Sequence, residues 1–217
     1  MLKKIACITA LGLSTAGIFS PNISLAQPNT IAQQQPMSPV TLLNDTIVKT
    51  QQELVTNSSI YEKDPQKLMA LLEANIMPHL ATNVIAQIIV GRDKWSSATP
   101  AQQKIFITSL TTMLVNTYAS SVAQAGRYAI RLTPFANDQW KQQRLVAVEG
   151  VLAQKGSRDG SRIRFSLLRD NSGDWKVYDV SVEGISILKS YQEQFQRFAN
   201  LDEINKAIEK RNESLTN

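Results

Sequence analysis

The sequence is poorest in the side chains that do most enzyme chemistry. It has one cysteine, one histidine and few aromatics among 217 residues. The cysteine, Cys7, lies in an apolar N-terminal run, so the chain beyond that run has no disulfide, thiol nucleophile or thiolate metal site. His79 alone cannot make a multi-histidine metal centre. No nucleophile elbow or serine–histidine–acid arrangement surrounds it, and its place after Pro78 at a helix boundary reads as structural. No basic–aromatic pattern argues for nucleic acid. Catalytic residues, metal ligands and cofactors are therefore all expected to be absent. The length fits a single domain.

The N-terminus is informative. Lys3 and Lys4 precede an apolar run from Ile5 to Phe19, Pro21 breaks it, and Ser24-Leu25-Ala26 forms a small-residue cleavage site before Gln27. This is the pattern of an export signal, and the run is shorter than the roughly 20 residues of a spanning helix. Expected are a signal at 1–26, cleaved near Ala26/Gln27, a Gln- and Pro-rich flexible leader at 27–37, and a domain at 38–217. The full chain has 23 basic and 18 acidic side chains, and residues 91–176 hold thirteen of the former and six of the latter. Arg158, Arg162 and Arg164 lie in that basic stretch and are candidates for steering the protein to anionic surfaces.

Periodicity divides the chain into helices, a sheet and helices again. Ser38-Pro39 and Asp64-Pro65 open two amphipathic helices, the second ending near Pro78. A third spans Leu80 to Val90, and Thr99-Pro100-Ala101-Gln102 is a capping box that starts a long helix to about Ala125. From Tyr128 the period becomes two. Strands are expected at 128–134, 144–154, 162–170 and 175–183, the last three as hairpin-linked antiparallel neighbours, with Glu183-Gly184 as a turn into the C-terminal helices. Alternation places Val146, Val148, Leu152, Ile163, Phe165, Leu167, Tyr178, Val180 and Val182 on one face. Tyr178 and Asp179, being adjacent, should point to opposite faces and so should not share a pocket as an acid–tyrosine pair. Asn200-x-x-Glu203 caps a last helix. The fold class is α+β: a four-stranded, mainly antiparallel sheet covered by helices from both ends of the chain.

The segments 78–122 and 173–195 resemble the MlaC or toluene-tolerance family of exported bacterial lipid carriers. The resemblance rests on Pro78-His79, Val90-Gly91, Ala98-Thr99-Pro100 with Gln102, Thr117-Tyr118, and Trp175-Lys-Val-Tyr178-Asp179-Val with Glu183-Gly184, in that order. Two departures are Ala81, where an acid is common, and RFANLDEI (197–204) in place of a glycine-rich turn. The resemblance implies a fold similar to the nuclear-transport-factor type and a periplasmic, monomeric phospholipid carrier, serving a lipid-transport system that maintains outer-membrane lipid asymmetry. Its implied partners are an outer-membrane lipoprotein complex and an inner-membrane ABC lipid transporter. Burying two acyl chains calls for a dry cavity at or above the upper end of the ~300–1,000 Å³ range of small-ligand sites. Phe106, Leu110, Met113 and Thr117 on the long helix, facing the sheet residues Val146, Val148, Leu152, Ile163, Phe165, Leu167, Tyr178 and Val180, are the expected lipid contacts. Two other readings are an exported enzyme of similar fold acting on a small apolar substrate and a lipid-free envelope adaptor.

Overall fold

The computed structural model describes residues 37–216. The expected export signal and all but the last residue of the expected leader lie outside them. Local chemistry sets the helix starts. Ser38 Oγ accepts from the Thr41 amide at 3.1 Å ahead of α1 (Pro39–Thr56), and the Asp64 carboxylate accepts from the Gln66 and Lys67 amides ahead of α3 (Pro65–Asn75). Each satisfies amides that the first helical turn leaves without partners. At the head of α6 (Pro100–Ala123), the Gln102 amide donates to Thr99 Oγ1 at 3.3 Å and the Thr99 amide donates to Gln102 Oε1 at 2.7 Å, closing the expected capping box. Gln102 Nε2 also donates to Asp202 Oδ1 in α8 (Leu201–Thr216), while Asn200 and Glu203 form the expected cap of that helix.

Two helices were not foreseen, α2 (Ser58–Lys63) and α5 (Arg92–Ser97). Six residues are too few to show a helical period, and tertiary contact holds such short pieces. Trp95 anchors α5 by packing edge-to-face on Phe106 at 6.0 Å. The remaining helices are α4 (Thr82–Val90) and α7 (Ile187–Phe195).

The sheet is antiparallel, with strands in chain order: β1 (Tyr128–Leu132), β2 (Leu145–Gln154), β3 (Ser161–Arg169), β4 (Trp175–Val182) and β5 (Ile185–Ser186). Four match the expected strands; the two-residue fifth is additional. One face carries Val146, Val148, Ile163, Phe165 and Leu167, covered by Leu43 and its neighbours on α1 and by Trp140 from the turn Asp138–Gln142. Residues of α4, α5, α6, α7 and α8 make a separate helical core in which Phe106, Ile204 and Ile208 are fully buried.

Strand β4 departs from simple alternation. Ser166 pairs with Asp179 but Leu167 pairs with Val177, which leaves Tyr178 as an extra residue. Trp175 and Val177 consequently join the sheet-face core, whereas Tyr178 packs against the helical core and the Asp179 carboxylate accepts from the Leu188 amide of α7 at 3.1 Å. The expectation that Tyr178 shares a face with Val180, and that Tyr178 and Asp179 point apart, is corrected by this bulge.

Strand β1 leaves no room for a side chain at Gly150 of β2, where a Cβ would lie 2.5 Å from the Arg131 carbonyl oxygen and 3.2 Å from Leu132 Cα. Those atoms are backbone and cannot rotate away. Gly150→Ala should destabilise the protein by about 1–3 kcal/mol, read as a lower urea midpoint at unchanged m value.

Candidate apolar binding site

The candidate site begins with the pinning of the turn between α3 and α4. Leu80 forms a parallel bridge to Val177 on β4, the Ala81 amide donates to the Val177 carbonyl at 2.8 Å, and Lys176 Nζ donates to the Pro78 carbonyl at 2.8 Å. Pro78 ends one helical direction and this attachment starts another. Helices α3 and α4, joined by this turn, both pack on α6 and leave a wedge between them.

That wedge is a cavity of ≈ 360 Å³. Leu72 and Ile76 at the end of α3, and Met77 and Leu80 in the turn, form one side, while Thr82, Ile85 and Ala86 of α4 form another. The wall on α6 is Phe106, Ile107, Leu110, Thr111, Leu114 and Val115, and Ile187 at the start of α7 closes the rim. Only the two threonines bring polar side-chain atoms, and Thr111 Oγ1 donates to the Ile107 carbonyl at 2.8 Å within its own helix. Among the described residues no ionisable group lines the space, so none of them offers it an acid or a base. It can remove hydrocarbon from water.

Of the expected contacts, Phe106 and Leu110 line this cavity. Met113 is buried in the helical core without lining it, and the Thr117 hydroxyl, one turn further on, is buried without a hydrogen-bond partner among the described residues. Val146, Val148, Leu152, Ile163, Phe165, Leu167 and Val180 pack together in the sheet-face core, away from the cavity, and Tyr178 packs on the helical side. The volume is correspondingly near the lower end of the ligand-site range rather than the upper, because α1, Trp140 and Trp175 close the sheet face. Sequence reasoning missed the wall from α3, α4 and Ile187 and, on α6, Ile107, Thr111, Leu114 and Val115. The signal for those on α6 was present: α6 is apolar on two adjacent faces, more than one packed core requires.

His79 belongs to a different recess. The turn Met77–His79 directs Met77 into the apolar cavity and His79 into a pocket of ≈ 310 Å³ with Met37, Leu42, Trp175 and Lys176. Burial, then the charges of Lys176 and Lys49, pushes the imidazole pKa below its ordinary value. Among the described residues no group of three or more His, Cys, Asp or Glu side chains is placed to hold a metal, and no helix is long and apolar enough to cross a membrane. Arg164 lies 3.7 Å from Glu149 and Arg162 lies 3.7 Å from Glu183, so two of the three arginines expected to steer docking have acidic neighbours. These pairs are solvent-exposed and contribute little stability.

The family described as MlaC protein matches residues 44–213. The chain belongs to the MlaC family. A curated relative, the intermembrane phospholipid transport system binding protein MlaC of Haemophilus influenzae, is 21% identical over 193 residues, 82% of each chain. A phospholipid-binding protein from Ralstonia solanacearum, solved in complex with a phospholipid, superposes with a TM-score of 0.71 at 22% identity, over 81% of this chain and 97% of that one. The likeness establishes the α+β fold, an antiparallel sheet flanked by helices. Every cavity-lining residue falls within the matched segment.

The depressed His79 pKa has a signed consequence. As pH falls through the unfolded value of 6.5, the unfolded chain takes up the proton first, so stability drops until the folded-state pKa is also passed and then levels off. Urea unfolding at stepped pH should show His79→Gln losing less stability than wild type below that value, with the two curves parallel above it.

Proposed function

We propose that this chain is exported to the periplasm, is cleaved near Ala26/Gln27, and carries phospholipid between an outer-membrane lipoprotein complex and an inner-membrane ABC lipid transporter. The observation that carries the reading is the composition of the cavity: every lining side chain is hydrocarbon or thioether except Thr82 and Thr111. Membership of the MlaC family supports it, as do the phospholipid-transport and phospholipid-binding roles of the two relatives. Acyl chain is the cargo such a wall suits. Small polar ligands would lose water hydrogen bonds there without replacement.

We place the first tail against Ile107, Leu110, Thr111 and Leu114, with Phe106 at the base. Admission of a second tail requires α3 and α4 to part further from α6, or α1 to leave the sheet face and expose Val148, Phe165 and their neighbours. Met77, unbranched and polarizable, can repack around chains of different length at the first of these seams. Binding through tails rather than charges leaves the headgroup outside the wall.

Protein purified from a bacterial host should yield two-chain phospholipid on organic extraction and mass spectrometry, near one per protein. Thr111→Trp and Leu114→Trp, at half-buried wall positions, should reduce that content several-fold by occupying the cavity while the circular dichroism spectrum is retained. Extracts without two-chain lipid would refute the carrier function, and folded tryptophan variants with full lipid would move the tails to another site.

A further inference from the structure

The rim of the cavity continues into the most exposed large apolar side chain among the described residues. Ile185 is 69% exposed and Ile187, which also lines the cavity, is 48% exposed. A two-residue turn presents them. Val182 pairs with Ile185 across Glu183 and Gly184, whose φ values are 49° and 81°, the left-handed conformation at both central positions that a tight hairpin requires. Gly184 takes it without steric cost, whereas Glu183 is a non-glycine residue held there by its neighbours. The Arg162 amide donates to Glu183 Oε1 at 2.8 Å and the Glu183 amide donates to the Arg162 carbonyl at 2.9 Å. The turn is thus fastened to β3 on one side and runs directly into the Ser186 cap of α7 on the other. An unfastened loop could turn Ile185 inward. This one holds it in solvent.

We infer that the turn Glu183–Ile187 seats the cavity mouth on a phospholipid bilayer, with Ile185 entering the boundary between headgroups and acyl chains and Ile187 continuing that apolar contact into the cavity. The inference rests on the carrier function proposed above, and continuity decides the occupant: Ile187 belongs to both the exposed tip and the cavity wall, so the surface it meets is the one that exchanges cargo with that wall. Arg162, its side chain 85% exposed although 3.7 Å from the Glu183 carboxylate, and Lys189 in the first turn of α7 flank the tip and can meet the headgroup layer. A projecting apolar residue in this setting gives a tail a path that does not cross water.

The test is exchange of a fluorescent phospholipid between the lipid-loaded mature protein and protein-free phosphatidylethanolamine vesicles containing some phosphatidylglycerol. Ile185→Ser should slow exchange about fivefold or more, with retained lipid and unfolding midpoint unchanged, and Ile185→Thr should shift it in the same direction. Leu145→Ser alters a comparably exposed residue, 62% accessible on β2 outside the cavity wall, and should exchange at the wild-type rate. Wild-type exchange by Ile185→Ser overturns the membrane tip, as does equal slowing by Leu145→Ser, or loss of retained lipid from Ile185→Ser. Wild-type protein lacking phospholipid at the outset would instead refute the carrier function itself.

Discussion

The extra residue in β4 is the constraint that joins the sheet-face core to the helical core around Phe106. A regular strand would present Trp175, Val177 and Asp179 to one side and Lys176, Tyr178 and Val180 to the other. Trp175, Val177 and Val180 all serve the sheet-face core in this protein, which is possible only because a residue is inserted between the second and the third. The inserted Tyr178 packs against the helical core, and Asp179 holds the first turn of α7 through the Leu188 amide. One strand therefore contributes to two cores. The acid–tyrosine pair that this brings to the helical side remains outside the apolar cavity, with the acid engaged in holding the helix.

Separating the sheet face from the helices leaves the cavity on the helical side, between the core around Phe106 and a further cluster of Leu54, Tyr61, Leu68, Leu71 and Val115. The sheet face is closed by large aromatics, with Trp140 6.5 Å from Trp175 and Phe135 stacked on Trp140 at 6.2 Å, and interiors packed in this way leave no space for a chain. The helical side is different because its elements are tied at their ends. Lys176 and the Val177 carbonyl hold the α3–α4 turn, Asp179 holds α7, and Gln102 and Asp202 link α6 to α8. Tethers at helix ends leave the middle of the α4–α6 interface to be set by side-chain size, and residues such as Ala86 and Thr111 do not fill it.

Much of the fold was legible because its signals are local. The Thr99–Gln102 capping box, the Asp64-Pro65 start and the strand bounds from Leu145 to Val182 rest on residues close in sequence, and the structure follows them to within a residue or two. The site was less legible. Phe106 and Leu110 do line the apolar cavity, but an apolar stripe does not reveal whether its partner is a tail, a helix or a sheet. Val148 and Phe165 have the pattern of a lining and are the floor of a closed core instead. The bulge had a readable sign, since apolar residues change parity between Val177 and Val180. A parity change shows that a face is switched without showing what each face meets.

An uncharged wall also has energetic logic for a carrier. Taking about 30 methylenes through water would cost on the order of 25 kcal/mol, at about 0.8 kcal/mol for each group. Relative to a bilayer the balance is different, because the tails leave one hydrocarbon environment for another and most of that cost cancels. A fixed charge gripping the headgroup would add affinity on the protein side alone and slow release at the acceptor. With Thr82 and Thr111 as the only polar side chains in the wall among the described residues, the cavity keeps tails out of water, and those residues add no charged anchor. Such a wall gives the exchange no direction of its own; it needs only to make entry and exit equally accessible.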